Sequence, residues 1–208
     1  MDLLSTIIAV VAAVTVHEYC HAWMAYKLGD PTGKHLGRLS LNPLRHFDPL
    51  GTFALIFLGF GWGKPVPYNP TYLAHPKRDA SLIALAGPFS NLITAILIAI
   101  PLKYFNNTSI EVLPIYNLLQ SIFWVNVLLF SLNILPLPPF DGSKIIGIFI
   151  PRRFHDAYET FLEKGVMYVI IFILFDSFIL QDLFNISILG TVVGFVSKWV
   201  IAIISLGT

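Results

Sequence analysis

A single cysteine, Cys20, in 208 residues excludes an internal disulfide and leaves the redox compartment unread. Charge is scarce as well. Only 12% of residues are Asp, Glu, Lys or Arg, against about 25% in an ordinary soluble domain. The net charge of +1 gives no basic surface for nucleic acid and no sign of an acidic substrate. The beginning of the chain lacks the basic segment of a cleaved signal, having only Asp2 before an apolar run. The first apolar segment is therefore read as retained. Neither an internal repeat nor a low-complexity tract is visible.

Apolar residues make up 56% of the chain, and they fall in runs. Stretches 3–25, 81–102, 115–135 and 186–206 are close to the ~20 residues that a membrane-crossing helix needs. A shorter fourth run covers 166–180. The expected fold is an all-α polytopic membrane protein of about five transmembrane helices in a single domain, 1–208. Its core motifs lie in 1–150 and its last two helices in 165–207. Residues 53–60 are too few to span, and Gly61, Gly63, Pro65 and Pro67 follow them closely. That density of glycine and proline predicts a short re-entrant extended or β hairpin rather than helix. Such backbone is tolerated at membrane depth only where protein or a water cavity satisfies it, which places it near a site.

Within the first run stands His17-Glu18-Tyr19-Cys20-His21. Residues four apart share a helix face, so both imidazoles can reach one metal ion, with Glu18 one step round and near the water the ion would carry. An ionised group at membrane depth costs roughly 2.5–3.5 kcal/mol on insertion scales. It persists where it faces the protein interior or binds something, and a metal is the economical choice. Cys20 is offset by three from His17 and reads as a packing residue.

Eleven of the thirteen basic residues lie in two loops, after the first and third spans. The positive-inside rule then puts those loops in the cytoplasm and the N-terminus outside. His17 and His21, near the end of the first span, fall on the same side as the loop after the third. Catalytic zinc commonly takes three protein ligands and keeps one position open. Asp141 is the candidate third ligand: Pro136, Pro138 and Pro139 stop the third helix just before it, and Gly142 permits a sharp turn. The residues alone leave open that Asp141 instead caps a short helix starting near Ser143. His46, Asp48 and Asp79 are competitors on the same side. Glu111, in the opposite loop, is disfavoured, and His35, His75 and His155 read as solvated.

These residues, taken in order, resemble the site-2 protease family of intramembrane zinc metalloproteases. The resemblance is carried by His17-Glu18-x-x-His21, by Asn42-Pro43 with His46-Phe47-Asp48-Pro49-Leu50-Gly51, and by the stretch 61–70. It continues through Ala86-Gly87-Pro88-Phe89-Ser90-Asn91 and Asn133-x-x-Pro136-x-Pro138-x-x-Asp141-Gly142. Phe140 and Ser143 depart from the common pattern without removing a ligand. The resemblance implies one Zn²⁺ per chain, held by His17, His21 and Asp141, with Glu18 catalytic. It implies a small form without an inserted PDZ domain, and a β structure over 61–70 near the substrate path. The partners it implies are the lipid bilayer and a transmembrane segment of a membrane-protein substrate, with no nucleic acid. The location it implies is a bacterial or archaeal-type cell membrane, with the active site toward the cytoplasm.

Asn133 and Asn91 are candidate donors to substrate backbone or to an oxyanion, although Asn91 is also placed to satisfy local backbone. His46 either fixes its own turn or touches substrate. The competing reading is a catalytically inactive membrane protein whose zinc is structural. A structural site usually fills all four positions with protein ligands, and only three candidates converge here.

Overall fold

Asp2 sets the start of the first helix. Its carboxylate accepts from the Ser5 amide at 2.8 Å and from the Ser5 hydroxyl, satisfying one of the donors that a helix start leaves free. The helix, α1 (Leu3–Lys27), keeps one face of closely spaced buried residues: Ser5, Ala9, Ala13, His17, His21 and Ala25. Every step is four residues. Small side chains let neighbouring helices come close, which is how helices associate where water gives no hydrophobic push.

The computed structural model describes residues 2–49, 51, 63–105 and 114–207. Four more long helices follow: α2 (Pro76–Phe105), α3 (Pro114–Asn133), α4 (His155–Phe175) and α5 (Ile188–Gly207). Among the described residues, five helical segments are long and apolar enough to cross a membrane, as the sequence predicts. Helices α1, α2 and α3 pack against one another, and α5 packs on α3. The main apolar core joins α2, α3 and α5 through Ala95, Phe123, Val127, Val200 and Ile204. A second cluster of Ala25, Leu73 and Ile83 closes the end of the α1–α2 pair.

The fourth span differs from its sequence expectation. The run 166–180 is part of a helical segment of 33 residues, Arg152–Phe184, that includes a π turn at Asp176–Leu180. Hydropathy truncates it because Asp156, Glu159, Glu163 and Lys164 occupy its first turns, and these residues lower the average without breaking helix. Only 6% of its most apolar window is buried inside the protein.

Asp176, 2% exposed, links this segment to α5. Its carboxylate accepts from the Ser187 hydroxyl and the Ile188 amide, both at 2.7 Å. It thereby caps the first turn of α5 from a different helix. Asp176→Ala removes that cap and the acceptor of three donors, the Ser187 hydroxyl and the Ile188 and Leu189 amides, a loss of about 0.5–2 kcal/mol. The expected result is a lower unfolding midpoint in detergent with zinc content unchanged. An unaltered midpoint would remove the cap from the account.

Of the predicted hairpin, 53–60 with Gly61 and Trp62 lies outside the described residues. The backbone of 64–69 takes no regular structure. Among the described residues there is no strand, and one isolated antiparallel bridge joins Phe47 to Gly63. Lys64 N–H donates to the His46 carbonyl beside it at 2.8 Å.

Candidate metal centre

The period-four face of α1 presents His17 and His21 side by side, 7% exposed each. Their Nε2 atoms lie 3.0 Å apart. Asp141 Oδ2 lies 3.1 Å from the first and 3.2 Å from the second. Three ligand atoms from distant parts of the chain therefore share one point. Tetrahedral zinc with bonds of about 2.0–2.2 Å sets its ligand atoms roughly 3.3–3.6 Å apart, so the triangle would open by a few tenths of an ångström to take the ion.

The other ring nitrogens decide what the three atoms carry. His21 Nδ1 lies 2.7 Å from the Ile83 carbonyl, which only accepts, so this nitrogen holds the proton. His17 Nδ1 lies 2.7 Å from Asn91 Oδ1 and likewise donates. Both neutral imidazoles then turn an Nε2 lone pair toward each other and toward a carboxylate oxygen. Three electron-rich atoms converging in a buried space repel one another unless a cation sits among them. The donor set fits zinc, and outward Nδ1–H groups held by acceptors are the usual support for ligating histidines.

Local sequence accounts for each position. On α2, the Ile83 carbonyl, one turn before Pro88, faces His21. Gly87 leaves the room: a Cβ there would lie 2.3 Å from His21 Nε2 and 2.7 Å from His17 Cε1. Asp141 is carried by the proline-rich turn after α3. A Cβ on Gly142 would meet the carbonyl oxygens of Leu135 and Ile134 at 2.2 and 2.4 Å, so this turn requires glycine.

The turn is also tied down from outside. Tyr158 OH donates to the Ser143 carbonyl at 2.8 Å, and the Ser81 hydroxyl donates to the Lys144 carbonyl at 3.1 Å. Asp141 does precede the short helix Gly142–Ile145, yet its side chain makes no capping hydrogen bond.

Glu18 stands apart from the triangle and is half-buried. It borders Gly63, whose built Cβ would lie 3.6 Å from Glu18 Oε1. The competitor ligands are engaged elsewhere. His46 Nε2 is 2.6 Å from the Ser40 carbonyl, Asp48 accepts from the Gly51 amide, and Asp79 pairs with Arg78 and the His75 amide.

The two asparagines do not face the triangle with a donor. Asn133 donates to the Leu129 carbonyl of its own helix at 3.0 Å. Asn91, fully buried, stands behind His17, and its amide donates to Asn126 Oδ1 at 2.9 Å. Sequence reasoning passed over Asn126. Its one available signal was a polar amide well inside an apolar span, a position that is seldom idle.

Known proteins similar to this chain carry metalloprotease names. The family model of peptidase family M50 matches residues 101–176, a stretch that includes Asp141. A Bacillus subtilis (strain 168) protein named "Putative zinc metalloprotease YwhC" is 41% identical over 150 residues, or 70% of this chain and 68% of that protein. "Putative zinc metalloprotease Rip2" of Mycolicibacterium smegmatis is 25% identical over 175 residues, or 78% of this chain and 63% of that one. Rip2 of Mycobacterium tuberculosis (strain H37Rv) is 27% identical over 143 residues, 62% of this chain and 51% of that protein. No solved structure matches the chain.

Proposed function

The chain belongs to peptidase family M50 and is a membrane metalloprotease; from that premise we propose that it hydrolyses peptide bonds within or next to transmembrane segments of membrane proteins, using one zinc ion. The observation that carries this reading is the convergence of His17, His21 and Asp141 at 3.0–3.2 Å inside a helix bundle built to cross a bilayer. His17, His21 and Asp141 would hold the zinc ion, which would supply Lewis acidity toward a water and a peptide carbonyl. Glu18 takes a proton onto its carboxylate and returns it to the leaving amine nitrogen. A helical substrate hides its peptide bonds, so the segment must unwind before cleavage. The irregular run 63–69 begins beside Glu18 at Gly63 and is the element proposed to pair with the unwound backbone. The loops rich in Lys and Arg support a cytoplasmic orientation of this face, in keeping with a role in regulated intramembrane proteolysis.

The test is cleavage of a panel of single-pass fusions by the purified full chain in vesicles, with zinc content measured on the same preparation. Cuts in or beside the membrane segment that stop on chelation support the proposal. Zinc-loaded protein that leaves every membrane segment intact while digesting water-soluble peptides would overturn it.

A further inference from the structure

The two ligating imidazoles are oriented by different means. His21 reaches a backbone carbonyl directly, that of Ile83 on α2. His17 reaches only an amide side chain, Asn91 Oδ1, and an amide can rotate by half a turn to present nitrogen where oxygen stood. With the rotated amide, His17 would face an N–H group, and its Nδ1 would turn acceptor. The proton would then move to Nε2, and the ring would no longer be a ligand.

What prevents the rotation lies on α3. Asn126 Nδ2 donates to the Ile122 carbonyl at 2.8 Å. A carbonyl only accepts, so the Asn126 orientation is unambiguous and its Oδ1 is turned outward. Asn91 Nδ2 donates to that oxygen at 2.9 Å, which leaves Asn91 Oδ1 for the Nδ1–H of His17 at 2.7 Å. Each link fixes the direction of the next. The two asparagines are 0% and 1% exposed, so water is not at hand to substitute for a broken link, and an unpaired amide there is costly.

We infer that Asn126 is a positioning residue for the metal centre: through Asn91 it locks His17 in the Nδ1–H tautomer and so keeps Nε2 available to the ion. This rests on the reading of His17, His21 and Asp141 as the zinc site. It gives the third helix a role in ligand chemistry without touching the metal. Outer partners of ligating histidines commonly change metal affinity by about 10- to 100-fold.

The experiment measures zinc affinity of the full chain in detergent by competition with a chromophoric chelator. It uses wild type, Asn126→Leu, Asn91→Ala and the double variant, with Ser131→Ala on the same helix as control. Asn126→Leu keeps the volume and removes both links. The expected result is an affinity about 10-fold or more below wild type. In the Asn91→Ala background the same change should have no further effect, because the path to His17 is already cut. Ser131→Ala should retain wild-type affinity.

Equal affinity of Asn126→Leu and wild type would overturn the relay, as would additive losses in the double variant. If Asn126→Leu does not fold, Asn126→Ser replaces it, since serine keeps a hydroxyl able to bond the Ile122 carbonyl but falls short of Asn91; unchanged affinity there is equally fatal. A wild-type protein that binds no zinc instead refutes the metal site itself, which separates the two failures.

Discussion

Glu18→Gln abolishes peptide hydrolysis while zinc stays bound. A positioned general base contributes about 10²–10⁴-fold, and glutamine keeps the size and polarity of the side chain without its basicity. Glu18 contributes no ligand atom to the His17–His21–Asp141 group, so the ion loses nothing by the change. The measurement is cleavage rate against zinc content on one preparation. Zinc at the wild-type level with turnover lost is the expected pair. Turnover at the wild-type rate would strip Glu18 of its role as the proton-transfer group.

The second large effect comes from a residue with no functional group. Gly87→Ala places a methyl 2.3 Å from His21 Nε2 and 2.5 Å from its Cε1, closer than any real contact allows. The rings or α2 must move. Overpacking of this kind costs about 1–3 kcal/mol, and borne by the imidazoles it lowers zinc affinity roughly 5- to 150-fold. Gly194→Ala is the matched control, because a Cβ at that position has nothing within 4 Å. Chelator competition on both variants decides the matter. A Gly87→Ala protein that binds zinc like wild type would show that the helices yield freely and that the close approach is incidental.

Much of this arrangement was legible in the residues. Hydropathy alone located the five spans, since runs of that length have few alternatives to crossing a bilayer. The i, i+4 histidines announced their shared face, because helix geometry fixes it. Charge asymmetry and the prolines that end α3 made Asp141 a candidate third ligand but left a capping role open, and the ligand set came from the family resemblance. The path of His17 Nδ1 through Asn91 to Asn126 was not legible. It joins residues 74 and 35 positions apart, and a hydrogen bond of that span depends on packing that no local pattern encodes. The same holds for Gly87, whose value lies in the atom it lacks. The extent of α4 was misjudged for a different reason: its early turns are charged, and hydropathy measures solubility in lipid, not helix.

That length has a bearing on how water arrives. Thirty-three residues in one helical segment extend about 50 Å, well beyond a hydrocarbon layer of ~30 Å. The charged opening turns must therefore stand among lipid headgroups. Tyr158 is in those turns and holds the Ser143 carbonyl, two residues past Asp141. His21 lies six residues, about 9 Å along the axis, from Lys27 at the polar end of α1. On the proposed orientation in the bilayer, both measures set the His17–His21–Asp141 group near the polar ends of its helices and close to bulk solvent. The reactant that every cleavage consumes needs no long conduit to reach it.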